Sequence, residues 1–201
     1  MVASRPTFIV GIGGSAGGLN AYKTLLAASP ADTGMAFVVI AHLYPTANSQ
    51  LTEILSRYTK MRVALASTAM PIEANHVYVI PSNSDLLIER NALKVVTPRS
   101  RRNVQIDLFF ASMADAMGAF SIGVIVSGYN GDGTEGCKAI KARGGRTFAQ
   151  DVSAEVGMMP RHAEAAGVID FVLPLNGISE ELQKLAAAFK FKGKGLMLRP
   201  K

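Results

Sequence analysis

Short apolar, β-branched runs alternate along this chain with longer segments in which apolar residues recur at helical spacing. This alternation is typical of βαβ units and of a parallel sheet. Most runs are apolar throughout, as in strands that are covered on both faces. The predicted strands are 8–11, 36–41, 62–65, 77–80, 122–126, 146–149 and 171–173.

The segments between these strands predict helices over 18–28, 47–58, 106–117, 134–142, 160–166 and 179–189. Strands 86–89 and 93–96, joined through Arg90-Asn91-Ala92, predict a β-hairpin inserted into the parallel pattern. We therefore expect an α/β fold. It is a single-domain, doubly wound, mostly parallel sheet of about seven strands with helices on both faces. Residues 1–190 are predicted to form this domain and residues 191–201 a basic C-terminal tail.

The net charge of +6 could suggest nucleic-acid binding, but its distribution does not. Residues 190–201 hold five basic side chains and no acid, whereas residues 1–189 hold 16 basic and 15 acidic side chains. The only basic cluster in the body of the chain is Arg99, Arg101 and Arg102, in a polar stretch over 98–103 that we expect to be a mobile loop. No aromatic residues interleave with it, as a base-stacking surface requires. No nucleic-acid partner is predicted.

Several other classes of protein are excluded by composition. No apolar run reaches the roughly 18 residues that span a bilayer, and the first residues lack the order of a secretory signal. We predict a cytoplasmic protein without membrane insertion. Cys137 is the single cysteine and has no Cys or His neighbours, which excludes an internal disulfide and argues against a zinc site.

In open parallel sheets, ligands bind at the carboxyl ends of the strands. The first strand runs into the glycine-rich segment Gly11-Ile12-Gly13-Gly14-Ser15-Ala16-Gly17-Gly18. Gly13-x-Ser15-x-Gly17 matches a nucleophile elbow. Gly11-x-Gly13 half matches a dinucleotide-binding turn, but the second strand ends in His42 where that motif needs an acid. A third interpretation makes Ser15 a simple helix cap.

A serine nucleophile needs a base and a group that orients the base. Of three histidines, only His42 follows a strand at the ligand-binding edge. His76 precedes its strand and His162 lies in a predicted helix, so structural or surface roles are expected for both. Asp132 and Asp151 each follow a strand, and spacing leaves both open as the orienting carboxylate.

These residues together resemble the catalytic domain of the CheB family, the chemoreceptor protein-glutamate methylesterases of bacterial chemotaxis. The resemblance covers about residues 8–185. Its motifs are Ile12-Gly13-Gly14-Ser15-Ala16-Gly17-Gly18, Ala41-His42-Leu43-Tyr44-Pro45, Ile106-Asp107-Leu108-Phe109, Ser127-Gly128-Tyr129-Asn130-Gly131-Asp132-Gly133, Phe148-Ala149-Gln150-Asp151 and Met159-Pro160-Arg161.

The resemblance implies a triad of Ser15, His42 and Asp132, with oxyanion or substrate contacts from Tyr129, Ala16 and Gly14. It implies hydrolysis of γ-glutamyl methyl esters on receptor helices to glutamate and methanol, and allows deamidation of receptor glutamines. No metal or cofactor is expected. The expected partner is the cytoplasmic helices of a methyl-accepting chemotaxis receptor. The protein itself is expected to be a monomer. The alternative is a nucleotide- or phosphate-binding module that uses the Gly-rich turn.

The chain departs from the family pattern at two positions. Tyr129 stands where the family commonly has methionine, and Met158 where it usually has glycine. Family members often carry an N-terminal receiver domain that restrains catalysis. None is recognised in this sequence, from which we expect either constitutive activity or control by a separate regulatory protein.

Overall fold

The computed structural model describes residues 4–43 and 50–196, with side chains as far as residue 189. Seven of the ten strands in this part form one sheet in which every neighbouring pair is parallel. The strands are β1 (Ile9–Gly14), β2 (Ala36–Ala41), β3 (Arg62–Leu65), β4 (Met70–Pro71), β5 (His76–Val79), β6 (Asp85–Glu89), β7 (Ala92–Val96), β8 (Ser121–Ile125), β9 (Arg146–Gln150) and β10 (Phe171–Leu173).

Six α-helices occur within the described residues, five between strands and the sixth after the last strand. They are α1 (Gly18–Ala28), α2 (Leu51–Ser56), α3 (Gln105–Met117), α4 (Thr134–Ala142), α5 (Met158–Ala165) and α6 (Leu175–Leu196). None of the helices so described is long and apolar enough to cross a membrane.

The order of strands in the large sheet is β10-β9-β8-β1-β2-β5-β3. The chain starts in the middle at β1, continues to β2, passes to the edge strand β3, returns to β5 between β2 and β3, and later adds β8 on the other side of β1. The strand order therefore reverses between β1 and β8, which is the edge position where open α/β sheets bind ligands. The predicted doubly wound parallel sheet is confirmed.

Helices cover both faces of the sheet, as predicted. Successive side chains of a strand point to opposite faces, so Val10 and Ile12 join one buried cluster while Ile9 joins the other. The first cluster includes side chains of α1, α2 and α6, and the second those of α3, α4 and α5. This burial on both faces explains why the strands read as unbroken apolar runs.

The predicted hairpin is confirmed as β6 and β7, which pair antiparallel. Arg90 and Asn91 form its turn with φ values of 51° and 64°, the left-handed conformation that two-residue hairpin turns require. The hairpin belongs to a separate small sheet with β4, a two-residue strand that the sequence did not indicate. Leu86, Ile88 and Leu93 anchor this sheet in the cluster beside α3.

Two helices start two or more residues before the predicted position, and α2 ends at Ser56, two residues before the predicted end. α6 starts at Leu175, four residues before the predicted start, because the Pro174 carbonyl accepts the Ile178 N–H at 2.9 Å and opens the first turn. Its backbone stays helical to Leu196, into the predicted tail. α5 starts at Met158, because its proline at 160 fits the first turn of a helix. The predicted start of the second helix at Ala47 lies outside the described residues.

Two glycines in β1 allow α3 to pack unusually close to the sheet. A Cβ atom at Gly11 would lie 2.6 Å from Cε1 of Phe110, and one at Gly13 would overlap Cγ2 of Ile106. Side-chain carbons do not approach each other this closely, so these positions exclude every larger residue while α3 keeps its place. The glycines of the Gly-rich segment thus serve helix packing, which brings the N-terminus of α3 to the carboxyl edge of the sheet.

Replacing Gly13 with alanine should therefore push α3 away from β1. We expect a loss of about 1–3 kcal/mol in the free energy of unfolding, the usual cost of overpacking a core, measured by urea denaturation. Gly177→Ala is the matched control. Its added Cβ would meet Cβ of Leu173 at 3.5 Å, an ordinary contact, and should leave stability unchanged or slightly higher. Equal effects of the two substitutions would contradict this account of Gly13.

Candidate active site

Ser15 lies directly after β1, in a sharp turn that leads into α1. Its N–H donates to the Ser127 carbonyl at 2.9 Å, and its own carbonyl accepts the Gly18 N–H at 2.9 Å. Gly17 takes a φ of 72° at the helix start, which favours glycine. No side chain caps α1. The interpretation of Ser15 as a helix cap is therefore wrong, and the strand–turn–helix context fits the nucleophile elbow.

Ser127, which follows the neighbouring strand β8, holds this turn in place. Its hydroxyl donates to the Ala16 carbonyl at 2.7 Å and accepts the Val156 N–H at 2.8 Å. Its backbone N–H donates to Oε1 of Gln150 at 3.2 Å. Loops that follow β1, β8 and β9 are thereby joined around one buried hydroxyl.

His42 follows β2 beside the serine. The parallel register pairs Gly14 with Ala41, and the His42 N–H donates to the Gly14 carbonyl at 3.3 Å. The two residues after this pair, Ser15 and His42, consequently leave the sheet side by side and line the same cleft. The His42 ring is only 8% exposed, and its Nε2 lies 2.6 Å from Oδ2 of Asp132.

The carboxylate of Asp132 is fully buried and accepts three hydrogen bonds. Besides His42, the N–H of Ile106 donates to Oδ2 at 3.1 Å and the N–H of Asp107 donates to Oδ1 at 2.9 Å. Both N–H groups belong to the first turn of α3, where they have no partner within the helix. The helix N-terminus thus stabilises the negative charge that faces the imidazole.

This contact also fixes the tautomer of His42. A carboxylate only accepts hydrogen bonds, so Nε2 carries the proton and Nδ1 presents a lone pair. Asn130 supports the arrangement, since its Oδ1 accepts the Asp132 N–H at 3.1 Å and its Nδ2 lies 3.5 Å from Nδ1 of His42. Asn130 was not singled out from the sequence, because nothing in its spacing indicates which loop atoms it bonds.

Asp107 is a second acid, half-buried, that the sequence reasoning did not assign. Its Oδ1 accepts the N–H groups of Gly133 at 2.9 Å and Gly136 at 2.8 Å, at the start of α4. Asp132 therefore binds the N-terminus of α3, which contains Asp107, and Asp107 binds the start of α4, which follows Asp132. Burial, together with the charge of Asp132, raises the pKa of Asp107 to about 6. The sequence signal available for Asp107 was its position in the first turn of a predicted helix.

The other candidate residues lie in local networks. The Asp151 carboxylate accepts the N–H and hydroxyl of Ser153 at 3.0 and 2.6 Å, within its own turn. His76 contacts the Ala74 carbonyl through Nδ1 at 2.9 Å. His162 lies beneath the Asp132 loop, where its Nδ1 is 3.1 Å from the Thr134 hydroxyl.

The candidate oxyanion-binding residues differ in the hydrogen bonding of their backbone. The N–H groups of Ala16 and Tyr129 donate no hydrogen bond within the described residues, and both residues line the cleft with Ser15 and His42. Gly14 lies inside β1 in register with Ala41, so it is part of the strand ladder. The cleft has a volume of about 520 Å³.

The cleft is thus lined by a serine, by an imidazole that a buried carboxylate orients, and by two residues with unpaired backbone N–H groups, which are the components of a serine hydrolase site. No cluster of metal-ligating side chains occurs in the described ranges. The model of the CheB methylesterase family matches residues 10–182. The chain belongs to this family, which confirms the resemblance read from the motifs.

Individual relatives agree with the family assignment. A relative from Leptospira interrogans is 36% identical over 173 residues, which cover 84% of this chain and 90% of that protein. One from Burkholderia orbicola, named protein-glutamate methylesterase/protein-glutamine glutaminase 3, is 35% identical over 182 residues. Those residues cover 89% of this chain and 53% of the Burkholderia protein.

A solved structure gives the same result for the fold. The crystal structure of the Thermotoga maritima CheB methylesterase catalytic domain superimposes with a TM-score of 0.81 at 26% sequence identity. The match covers 92% of this chain and all of the other.

The raised pKa of Asp107 gives a prediction for stability. The folded state keeps the Asp107 proton up to about pH 6, whereas the ordinary value is 3.8. The stability from this group is therefore complete below about pH 4 and is lost as the pH rises through 6. Asp107→Asn keeps an oxygen acceptor for Gly133 and Gly136 but cannot ionise. Relative to this variant, wild type should become less stable between about pH 4 and 7.

Urea denaturation of both proteins across this pH range measures the difference directly. Groups that do not interact with Asp107 cancel, so the difference reports Asp107 together with its interaction with Asp132. A stability difference that stays constant with pH would show that Asp107 does not titrate in this range.

Proposed function

We propose that this protein is a serine esterase that hydrolyses γ-glutamyl methyl esters of proteins to glutamate and methanol. The observation that carries the proposal is the contact of 2.6 Å between His42 and the buried Asp132, beside Ser15 in one cleft, in a chain of the CheB methylesterase family. Curated relatives are named for this reaction and for glutaminase activity.

In the first half of the reaction, Ser15 Oγ attacks the ester carbonyl carbon while Nδ1 of His42 takes the hydroxyl proton. Nδ1 is the base because Nε2 donates to Asp132. The carboxylate stabilises the imidazolium that results. His42 then returns the proton to the methoxy oxygen, so that methanol leaves and the glutamyl group remains on Ser15 as an ester.

The oxyanion of the tetrahedral intermediate needs donors that are free before the reaction. The N–H groups of Ala16 and Tyr129 meet this requirement within the described residues, and each such donor contributes about 3 kcal/mol to transition-state stabilisation. A backbone donor at 129 does not depend on the side chain, so tyrosine in place of methionine preserves it. In the second half of the reaction, a water molecule takes the place of methanol and gives a proton to His42. Glutamate is released and the Ser15 hydroxyl is restored.

The same intermediate forms from a glutamine side chain, with ammonia as the leaving group. Deamidation of protein glutamines is therefore a second reaction of this site, and the names of the relatives include it. The steps use side-chain and backbone groups of the chain alone.

The proposed substrate protein is the cytoplasmic helical region of a methyl-accepting chemotaxis receptor, as the family assignment suggests. Residues 1–190 are proposed as the catalytic domain, acting as a monomer. The alternative of a phosphate-binding module has no support from the relatives. Gly11 and Gly13 have another explanation, because they allow α3 to pack against β1.

The proposal is tested by methanol release from receptor that carries methylated glutamates. Wild type should release methanol catalytically, and Ser15→Ala should lower the rate by about 10³-fold or more, since loss of the nucleophile disables the triad as a unit. Circular dichroism of the variant controls for folding. Methanol release by Ser15→Ala at a rate close to wild type would contradict the assignment of the nucleophile.

A further inference from the structure

The cationic loop, residues 98–104 between β7 and α3, forms one wall of the cleft. Arg99, Arg102 and Asn103 line it together with Ser15 and His42. Arg99 reaches the backbone next to the histidine, where its Nη1 donates to the Leu43 carbonyl at 3.3 Å. Arg101 belongs to the same loop but does not line the cleft.

This loop is tied to the hairpin, contrary to the expectation of a mobile segment. The Arg99 N–H donates to the Asn83 carbonyl at 2.7 Å, and the Ser100 N–H donates to Oδ2 of Asp85 at 2.7 Å. Gln105 Nε2 donates to Oδ1 of Asp85 at 2.9 Å and to the Arg101 carbonyl at 2.7 Å. Asp85 is only 3% exposed. A buried carboxylate thus fixes the loop backbone, so the arginines start from a defined position.

The charges of these arginines are not neutralised by the protein. Across the described side chains, Arg99 and Arg102 form no ion pair, and the remaining residues of the sequence contain no Asp or Glu. Asp132 is fully buried and bonded to His42 and α3, so its charge is already engaged. Tyr129 also lines the cleft and is 61% exposed. The described lining of the cleft therefore carries two arginines and no carboxylate.

We propose that Arg99 and Arg102 bind a carboxylate side chain that flanks the target ester in the protein substrate, and so determine which esters are hydrolysed. The proposal rests on the proposed esterase function. Guanidinium groups pair with carboxylates in a planar, bidentate geometry. A substrate carboxylate would be the first acidic partner for either arginine. The small ester itself is neutral, so this selectivity acts on the neighbouring residue rather than on the reacting group.

The experiment uses two peptides with the same γ-glutamyl methyl ester, one flanked by glutamate and the other by asparagine, a neutral amide outside the proposed glutaminase reaction. We expect wild type to favour the glutamate peptide by about tenfold or more in kcat/KM, chiefly through KM. Arg99→Gln/Arg102→Gln should reduce this ratio to nearly one. Arg101→Gln is the matched control and should keep the wild-type ratio, since it removes the same charge from the same loop outside the cleft.

Several outcomes would overturn the proposal. Equal losses on both peptides would indicate a structural role for the loop. A ratio reduced equally by Arg101→Gln would indicate general attraction by charge instead of contact in the cleft. A ratio of one between the kcat/KM values of wild type for the two peptides would show that the enzyme does not recognise a flanking acidic residue.

Binding of the two peptides to Ser15→Ala separates this proposal from the esterase function. If the peptides bind with a preference that depends on the arginines but wild type does not hydrolyse them, only the esterase proposal is contradicted. Turnover by wild type without any preference would contradict the role of the arginines alone.

Discussion

The start of α3 holds the carboxylate of Asp132 through two backbone N–H groups, and the remaining site depends on this contact. The third hydrogen bond of the carboxylate fixes the proton of His42 on Nε2, which leaves a lone pair on Nδ1. The helix can reach the carboxylate because Gly13 offers no side chain against Ile106. Packing of a helix on the sheet thereby decides the protonation pattern of an imidazole that follows another strand.

Parallel topology explains why residues far apart in the sequence meet at one point. β1, β2 and β8 are neighbours, and Ser15, His42 and the Asp132 loop follow their carboxyl ends. The reversal of strand order between β1 and β8 opens the crevice in which the loops converge. Ser127 joins three of these loops through its buried hydroxyl and backbone. The cationic loop follows β7 of the small sheet. The candidate site therefore combines residues at the carboxyl edge of the large sheet with a loop that is held by the small sheet.

Much of this organisation could be predicted from sequence, because strands buried on both faces read as unbroken apolar runs and their ends are where polar residues reappear. The choice between Asp132 and Asp151 could not be made from spacing, since each follows one of two adjacent strands. The contact with α3 distinguishes them, and it joins segments that periodicity does not relate. Asn130 and Asp107 were missed for the same reason, as their hydrogen bonds are tertiary. β4 is only two residues long and leaves no pattern.

Labelling by a fluorophosphonate probe, mapped by mass spectrometry, tests most directly whether the His42–Asp132 contact activates Ser15. The account predicts one adduct, on Ser15, formed far more slowly by Asp132→Asn, where the tautomer of His42 is no longer enforced. Asp151→Asn should label at the wild-type rate, because that carboxylate serves only its own turn. An adduct on another residue, or slow labelling of Asp151→Asn with normal labelling of Asp132→Asn, would contradict the account.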